Sequence, residues 1–242
     1  MRILVTGASR GIGLGFCRVL LERSHDVVAV CREPSKDLSA LDVQIVDGIE
    51  LTNDSSVRTL SRRIRGGLDG LILNAGINCD APRLEDIEVP DLARMFDVNA
   101  LGPVRVTLAC LGSLNRGAKI MLVGVGAAAL NVRAPSIGNY GYRMSKAAML
   151  SFGFGIARDL RDRGVAVLVC APGPVDTDML RGVAAEGRTT FNPEHAPPAD
   201  SVAAQLLDRM DALTLESSPV WDEKPTGEPL VVVPASQFVT RG

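Results

Sequence analysis

Met1-Arg-Ile-Leu-Val-Thr6-Gly7-Ala8-Ser9-Arg10-Gly11-Ile12-Gly13 is the stretch on which the reading of this chain turns. Arg2 to Val5 is a short, apolar, β-branched run ended by Thr-Gly, the pattern of a fully buried strand. Ile12 to Arg23 follows, with apolar residues at helical spacing. A strand, a glycine-rich turn and a helix, in that order, cradle phosphate. Glycine lets the backbone approach a pyrophosphate, whose charge then rests on free N–H groups at the helix N-terminus. The spacing is T-G-x-x-x-G-x-G, distinct from the G-x-G-x-x-G dinucleotide fingerprint.

Outward from this turn, strand and helix patterns alternate to the end of the chain. Asp26–Cys31, Val43–Val46, Leu68–Leu73, Lys119–Val125, Val165–Cys170 and Leu230–Val233 read as further strands. The alternation predicts a Rossmann-like, doubly wound α/β fold: one parallel sheet of about seven strands flanked by helices, a single domain over residues 1–242. Composition agrees. Apolar residues make up 46% and aromatics only 4%, so Val, Leu, Ile and Ala build the core, as suits strands buried on both faces.

The net charge of −2, with no basic block, argues against nucleic acid as a partner. Five scattered cysteines without a C-x-x-C pair, and two loop histidines (His25 and His195), predict neither a disulfide framework nor a metal site. No apolar run reaches the roughly 18 residues of a membrane span. The first strand begins at once, where a signal peptide would stand. The expectation is a cytoplasmic protein acting on a small molecule, with no membrane partner.

A Tyr–Lys pair, an asparagine and an arginine carry chemistry. Tyr142 and Lys146 are four apart and share a helix face. A phenol titrates near pH ~10, and a close ammonium is expected to lower that by ~1–3 units, making Tyr142 a usable general acid or base. Tyr140 has Met144 at the same offset and lacks this partner. Asn99 lies in a helical pattern from Asp91 to Leu114, where a polar side chain on an apolar face requires hydrogen bonds. Gly102-Pro103 offers a local break in that helix. Arg32 follows the second strand, where an acid would favour a ribose 2′-hydroxyl and a base a 2′-phosphate. Its forked guanidinium, joined by Arg10, suits phosphate, so NADP(H) is expected ahead of NAD(H).

With these motifs in order, the chain resembles the short-chain dehydrogenase/reductase family from Met1 to about Val233. The glycine turn, Glu50-Leu51-Thr52, Leu73-Asn74-Ala75-Gly76, Asn99-x-x-Gly102, Tyr142-x-x-x-Lys146 and Pro172-Gly173-x-x-x-Thr177 match family segments. Leu73 replaces the first Asn of the usual N-N-A-G, and Glu50 the usual aspartate. The Arg-Glu-Pro after the second strand, Tyr142–Lys146 and the tail Trp221–Leu230 are similar to the C-factor-like, sniffer-type branch.

The resemblance implies cofactor contacts from Gly7, Ser9, Arg10, Gly11, Ile12 and Gly13, and from Arg32, Glu50 and Leu51 near the adenosine. It implies Asn74, Ala75 and Gly76 along the ribose, Tyr142 and Lys146 beside it, and Pro172, Gly173, Val175 and Thr177 at the nicotinamide. Asn99 would anchor a proton-relay water, residues 180–198 would form a mobile substrate lid, and the helices holding Asn99 and Tyr142 would pair in a homodimer or homotetramer.

One family feature is missing. The serine that binds the substrate carbonyl is replaced by Val125, or by Ala129 if the family's shorter spacing applies. Loss of such a donor costs roughly 10²- to 10³-fold in rate. Ser136 and Asn131 are candidate substitutes. The expected activity is hydride transfer between NADPH and a ketone or aldehyde on a largely apolar small molecule. The alternative is an NADP-binding protein of this fold whose redox activity is lost or altered: a cofactor-sensing protein, or an elimination or cyclisation enzyme.

Overall fold

In the computed structural model, residues 1–124 and 138–222 are described. Their strands are β1 (Arg2–Thr6), β2 (Asp26–Val30), β3 (Gln44–Val46), β4 (Leu68–Leu73), β5 (Leu114–Val123), β6 (Ala166–Cys170) and β7 (Val220–Asp222). They form one sheet in the order β3-β2-β1-β4-β5-β6-β7, every neighbouring pair parallel. The chain starts in the middle, winds outward to β3, then returns to β4 beside β1. Connections leave that junction in opposite directions, which opens a crevice at the carboxyl edge of the strands.

Alternate residues of each strand face opposite layers. Ile3, Val5, Ile72, Met121, Leu168 and Cys170 pack with α1 (Gly11–Glu22) on one side. Leu4, Leu71, Ile120, Leu122, Val167 and Val169 pack on the other. Because both faces are covered, the strands read as continuous apolar runs. The connections on the outer β2–β3–β4 side are short helices: α2 (Lys36–Ser39), α3 (Asp54–Arg58) and α4 (Leu60–Arg63).

The expected helix from Asp91 to Leu114 is two helices. Helix α5 (Val89–Phe96) passes through a π-helical turn at Asp97–Leu101 into α6 (Gly102–Cys110). The break precedes Gly102-Pro103 and centres on Asn99, whose side chain is drawn out of helical register by partners across the sheet edge. Leu114 itself starts β5, ahead of the expected Lys119. A register shift after Leu68 accommodates the early start, and Lys119 then extends its ammonium to the carbonyls of Met210 and Asp211 at 2.8 and 2.7 Å.

Helix α7 (Tyr140–Asp159) carries Tyr142 and Lys146 and lies close on the sheet. A Cβ on Gly153 would come within 2.6 Å of Val169 Cγ2, so only glycine permits this approach. Beyond β6, α8 (Asp178–Ala185) occupies part of the segment expected to be irregular. Thr177 nucleates it by accepting the Leu180 N–H at 3.3 Å, and Val183 supplies a buried anchor. Helix α9 (Ala199–Ala212) packs on α1 and closes the first layer. The Leu230–Val233 run lies outside the described residues; the seventh described strand is β7. Among the described residues, no helix is long and apolar enough to cross a membrane.

Candidate active site

The glycine-rich turn joins β1 to α1 at the carboxyl edge, beside the crevice. Gly7 has φ +67, and a Cβ on Gly13 would stand 2.1 Å from the Gly7 carbonyl oxygen, so the turn closes only with both glycines. Ile12 packs partly into the core behind it. Arg10, the residue before α1, places no side chain on the helix N-terminus, and no acidic residue stands in its first turn. Those features fit a pyrophosphate: a cradle that a side chain would fill, at the positive end of a helix.

Thr6 and Asn74 hold this turn against the end of β4. Thr6 Oγ1 accepts from the N–H groups of Asn74 and Ala75 at 3.0 and 3.2 Å, and the Asn74 amide donates to the carbonyls of Thr6 and Gly7 at 3.1 and 3.4 Å. Asn74 thus braces the loop from below. Ser9 Oγ donates to the Glu33 carbonyl at 2.7 Å, which brings the turn next to Arg32.

Arg32 is exposed, and its Nη1 lies 3.8 Å from Glu50 Oε2. Arg10 does not meet Arg32; it leans to Asp178 at the start of α8, 3.7 Å away. Both guanidiniums are therefore held by weak, solvated ion pairs that a phosphate can displace. Leu51 is buried, its carbonyl bound by Arg105. Past β6, Gly173 turns the chain with φ +73, Val175 is buried, and the Thr177 hydroxyl donates to the Val175 carbonyl at 3.2 Å while capping α8.

Tyr142, Lys146, Asn99 and Gly76 come together at the ends of β4 and β5. Lys146 is 3% exposed; its ammonium donates to the Val123 carbonyl at 2.8 Å and lies 5.9 Å from the centre of the Tyr142 ring. A Cβ on Gly76 would be 3.2 Å from Asn99 Oδ1 and 3.3 Å from Lys146 Nζ. Asn99 is fully buried and fully used. Its amide donates to the Ile77 carbonyl (2.9 Å) and to Ser145 Oγ (3.0 Å), and its oxygen accepts the Ile77 N–H (2.8 Å). Ser145 in turn donates to the Tyr142 carbonyl at 2.9 Å.

The electrostatics differ from expectation. Burial pushes the Tyr142 phenol up to about 12, where a lowering by Lys146 was expected. Burial also pulls the Lys146 ammonium down to about 8, partly offset by the neighbouring Cys170 thiol. Desolvation wins because both groups leave water, and the ammonium's nearest acceptor is a backbone carbonyl.

A second polar cluster, absent from the motifs, sits at the first turn of α7. Asn139 precedes the helix with φ +60, yet its side chain does not cap it. Its oxygen accepts instead from Asn78 Nδ2 (2.8 Å) and Arg188 Nη1 (2.9 Å). Asp80, 7% exposed, accepts the Tyr142 N–H at 2.8 Å and so caps α7 from another element. Nothing local in the sequence marks Arg188 or Asp80; only Asn139, standing before a helix, carries a positional signal. Val125, Ala129, Asn131 and Ser136 lie outside the described residues.

A family model for short chain dehydrogenases matches residues 1–187. The chain belongs to this family. Among its relatives, the 1-hydroxy-2-glutathionyl-2-methyl-3-butene dehydrogenase of Rhodococcus sp. (strain AD45) is 33% identical over 219 residues, covering 89% of this chain and 93% of that one. A family structure from Burkholderia multivorans with bound NADP superposes with TM-score 0.80 at 26% identity, covering 94% and 97% of the two chains. The carbonyl reductase Sniffer of D. melanogaster has the same fold, with TM-score 0.79 at 23% identity over 95% and 98%.

Proposed function

We propose that this chain is an NADP-dependent oxidoreductase that reduces a ketone or aldehyde on a largely apolar small molecule, with Tyr142 as the proton donor. The reading is carried by one juxtaposition: a half-buried phenol and a buried ammonium one helical turn apart, at the strand edge that also bears an uncapped, glycine-cradled helix N-terminus.

NADPH, when bound, supplies the hydride. The N–H groups around Gly11 to Gly13 would hold the pyrophosphate, and Arg32 and Arg10, now paired with Glu50 and Asp178, would hold the 2′-phosphate. Asn74, Ala75 and Gly76 would lie along the ribose, and Val175 and Thr177 would hold the carboxamide. At neutral pH burial keeps the Tyr142 phenol protonated, the state required to deliver a proton to a carbonyl oxygen. Lys146 stabilises the phenolate left behind, and Asn99, through Ser145, ties the Tyr142 backbone to the turn at Ile77. The sequence offers Val125 or Ala129 where the family has its serine, and neither side chain is polar, which favours an apolar substrate. If no hydroxyl replaces the serine, the rate is lower by roughly 10²- to 10³-fold, but the phenol still operates.

Leu108, Met144, Leu101 and Phe154 expose 65, 55, 45 and 41% of their surface around α6 and α7. Exposed apolar side chains on these elements support assembly as a homodimer or homotetramer through these helices. Light scattering giving the mass of one chain would exclude it.

The test of function is loss of NADPH absorbance over a panel of carbonyl compounds. Turnover is expected, and Tyr142→Phe should reduce it by about 10²- to 10⁴-fold while leaving NADPH binding intact. Tight NADPH binding with no turnover of any carbonyl would overturn the reading.

A further inference from the structure

The cluster at the head of α7 is built around a buried guanidinium. Arg188, 2% exposed, follows α8 in the segment between β6 and α9. Its Nε pairs with Glu186 at 2.6 Å, and its Nη1 donates both to Asn78 Oδ1 (3.1 Å) and to Asn139 Oδ1 (2.9 Å). One side chain thereby ties three separate pieces of chain: the segment after α8, the turn following β4, and the residue that starts α7. Burying an arginine is costly unless its donors are used in fixed directions, so the clamp is rigid where it forms.

The consequence falls on Tyr142. Asn139 turns its side chain to Arg188 and Asn78 and leaves the helix N-terminus uncapped. Asp80, whose own N–H donates to Asn78 Oδ1 at 3.3 Å, fills that role by accepting the Tyr142 N–H. The backbone of the proposed proton donor is therefore fixed by a network that contains the buried cation Arg188.

We infer that Arg188 is a positioning residue for Tyr142: through Asn139, Asn78 and Asp80, it couples the segment after α8 to the first turn of α7. This rests on the proposed role of Tyr142. Among the described residues, the polar partners of Arg188 are Glu186, Asn78 and Asn139 and not the phenol or Lys146, so it acts through the helix. A lysine in its place has the charge but not the planar fork, and does not serve Glu186, Asn78 and Asn139 together.

The experiment compares wild type, Arg188→Lys and Arg188→Met, each loaded with NADPH. It measures the NADPH dissociation constant, amide exchange across residues 140–146, and kcat and KM on a carbonyl that the wild type turns over. NADPH affinity is expected to stay within about twofold. Exchange of the first α7 turn should rise by about tenfold or more as local opening becomes easier. The kcat should fall by about 10- to 100-fold, as for a sub-ångström misplacement of a reacting group, with KM changing less. Arg188→Lys should lie between the other two. Unchanged exchange in 140–146, or raised exchange with unchanged kcat, overturns the inference. If Arg188→Met does not fold, Arg188→Lys decides it. If the wild type turns over no carbonyl, the proposed function fails, and exchange alone then decides whether Arg188 holds α7.

Discussion

Replacing Asn99 by aspartate changes one side-chain atom and reverses the hydrogen-bonding sense of a buried node. Asn99 is 0% exposed and makes three bonds, two of them donations from Nδ2 to the Ile77 carbonyl and to Ser145 Oγ. In Asn99→Asp the acceptor bond to the Ile77 N–H survives. The other carboxylate oxygen then faces the Ile77 carbonyl with no proton between them. A protonated carboxyl can donate to one partner, so the folded pKa rises above the unfolded value of ~3.9.

The sign follows from linkage. A carboxyl raised in the folded state leaves the variant most stable below its unfolded pKa, and that stability is lost as pH rises through the folded pKa. At neutral pH two buried interactions are missing, each worth ~1–3 kcal/mol when a partner is left unsatisfied, so the loss is ~2–6 kcal/mol. Against a total of ~5–15 kcal/mol this is severe. For a chain of this size it corresponds to a Tm lower by roughly 5–20 °C. Thermal melts followed by circular dichroism at about pH 5 and about pH 8 provide the assay, with the larger deficit at the higher pH. A variant that melts within ~2 °C of wild type at the higher pH, or whose deficit shrinks as pH rises, would refute the reasoning.

Gly13→Ala places a methyl 2.1 Å from the Gly7 carbonyl, so the cradle must open and NADPH titration should show affinity lost by at least ~100-fold. Arg32→Ala removes a charged partner of the 2′-phosphate, worth ~1.5–3 kcal/mol; the preference for NADPH over NADH, read as the ratio of the two dissociation constants, should fall by about 10- to 100-fold. Equal losses for both cofactors would place the phosphate elsewhere. Lys146 and Tyr142 give opposite slopes to stability at alkaline pH. Lys146, lowered to about 8, penalises folding while charged, and this penalty is relieved as pH rises from there towards its unfolded value. Tyr142, raised to about 12, contributes stability that is lost between its unfolded value near ~10 and that point. Denaturant titrations across this range should show the rise disappear in Lys146→Met and the fall disappear in Tyr142→Phe.

The parts of the site that are written in neighbouring residues were legible in the sequence. The glycine turn, Asn74-Ala75-Gly76 and the Tyr142/Lys146 pair each declare themselves within a few positions. The structure adds that Asn74 braces Gly7 and that Lys146 sits over the Tyr142 ring. Other features depend on partners far along the chain. The π-turn at Asn99 arises because its amide is claimed by Ile77 and Ser145. Arg10 turns to Asp178 rather than Arg32 because α8, not foreseen as a helix, begins beside the glycine turn. Arg188 lies in a stretch of Gly, Thr and Pro, where an arginine ordinarily faces water; only the assembled fold buries it. The upward shift of Tyr142 departs from its spacing for the same reason, since charge proximity is visible in spacing whereas depth is not.

Gly153 sits two turns beyond Lys146 on the same sheet-facing side of α7, and it governs how near the whole rod lies to β6. With no methyl there, the interlayer gap is set by hydrogen atoms against Val169, and every group borne further up the rod inherits that spacing. The clearance between helix and sheet is thus a mechanical adjustment of where the phenol stands. A single added carbon at this remote seam would retune the reaction centre without altering any residue that lines it.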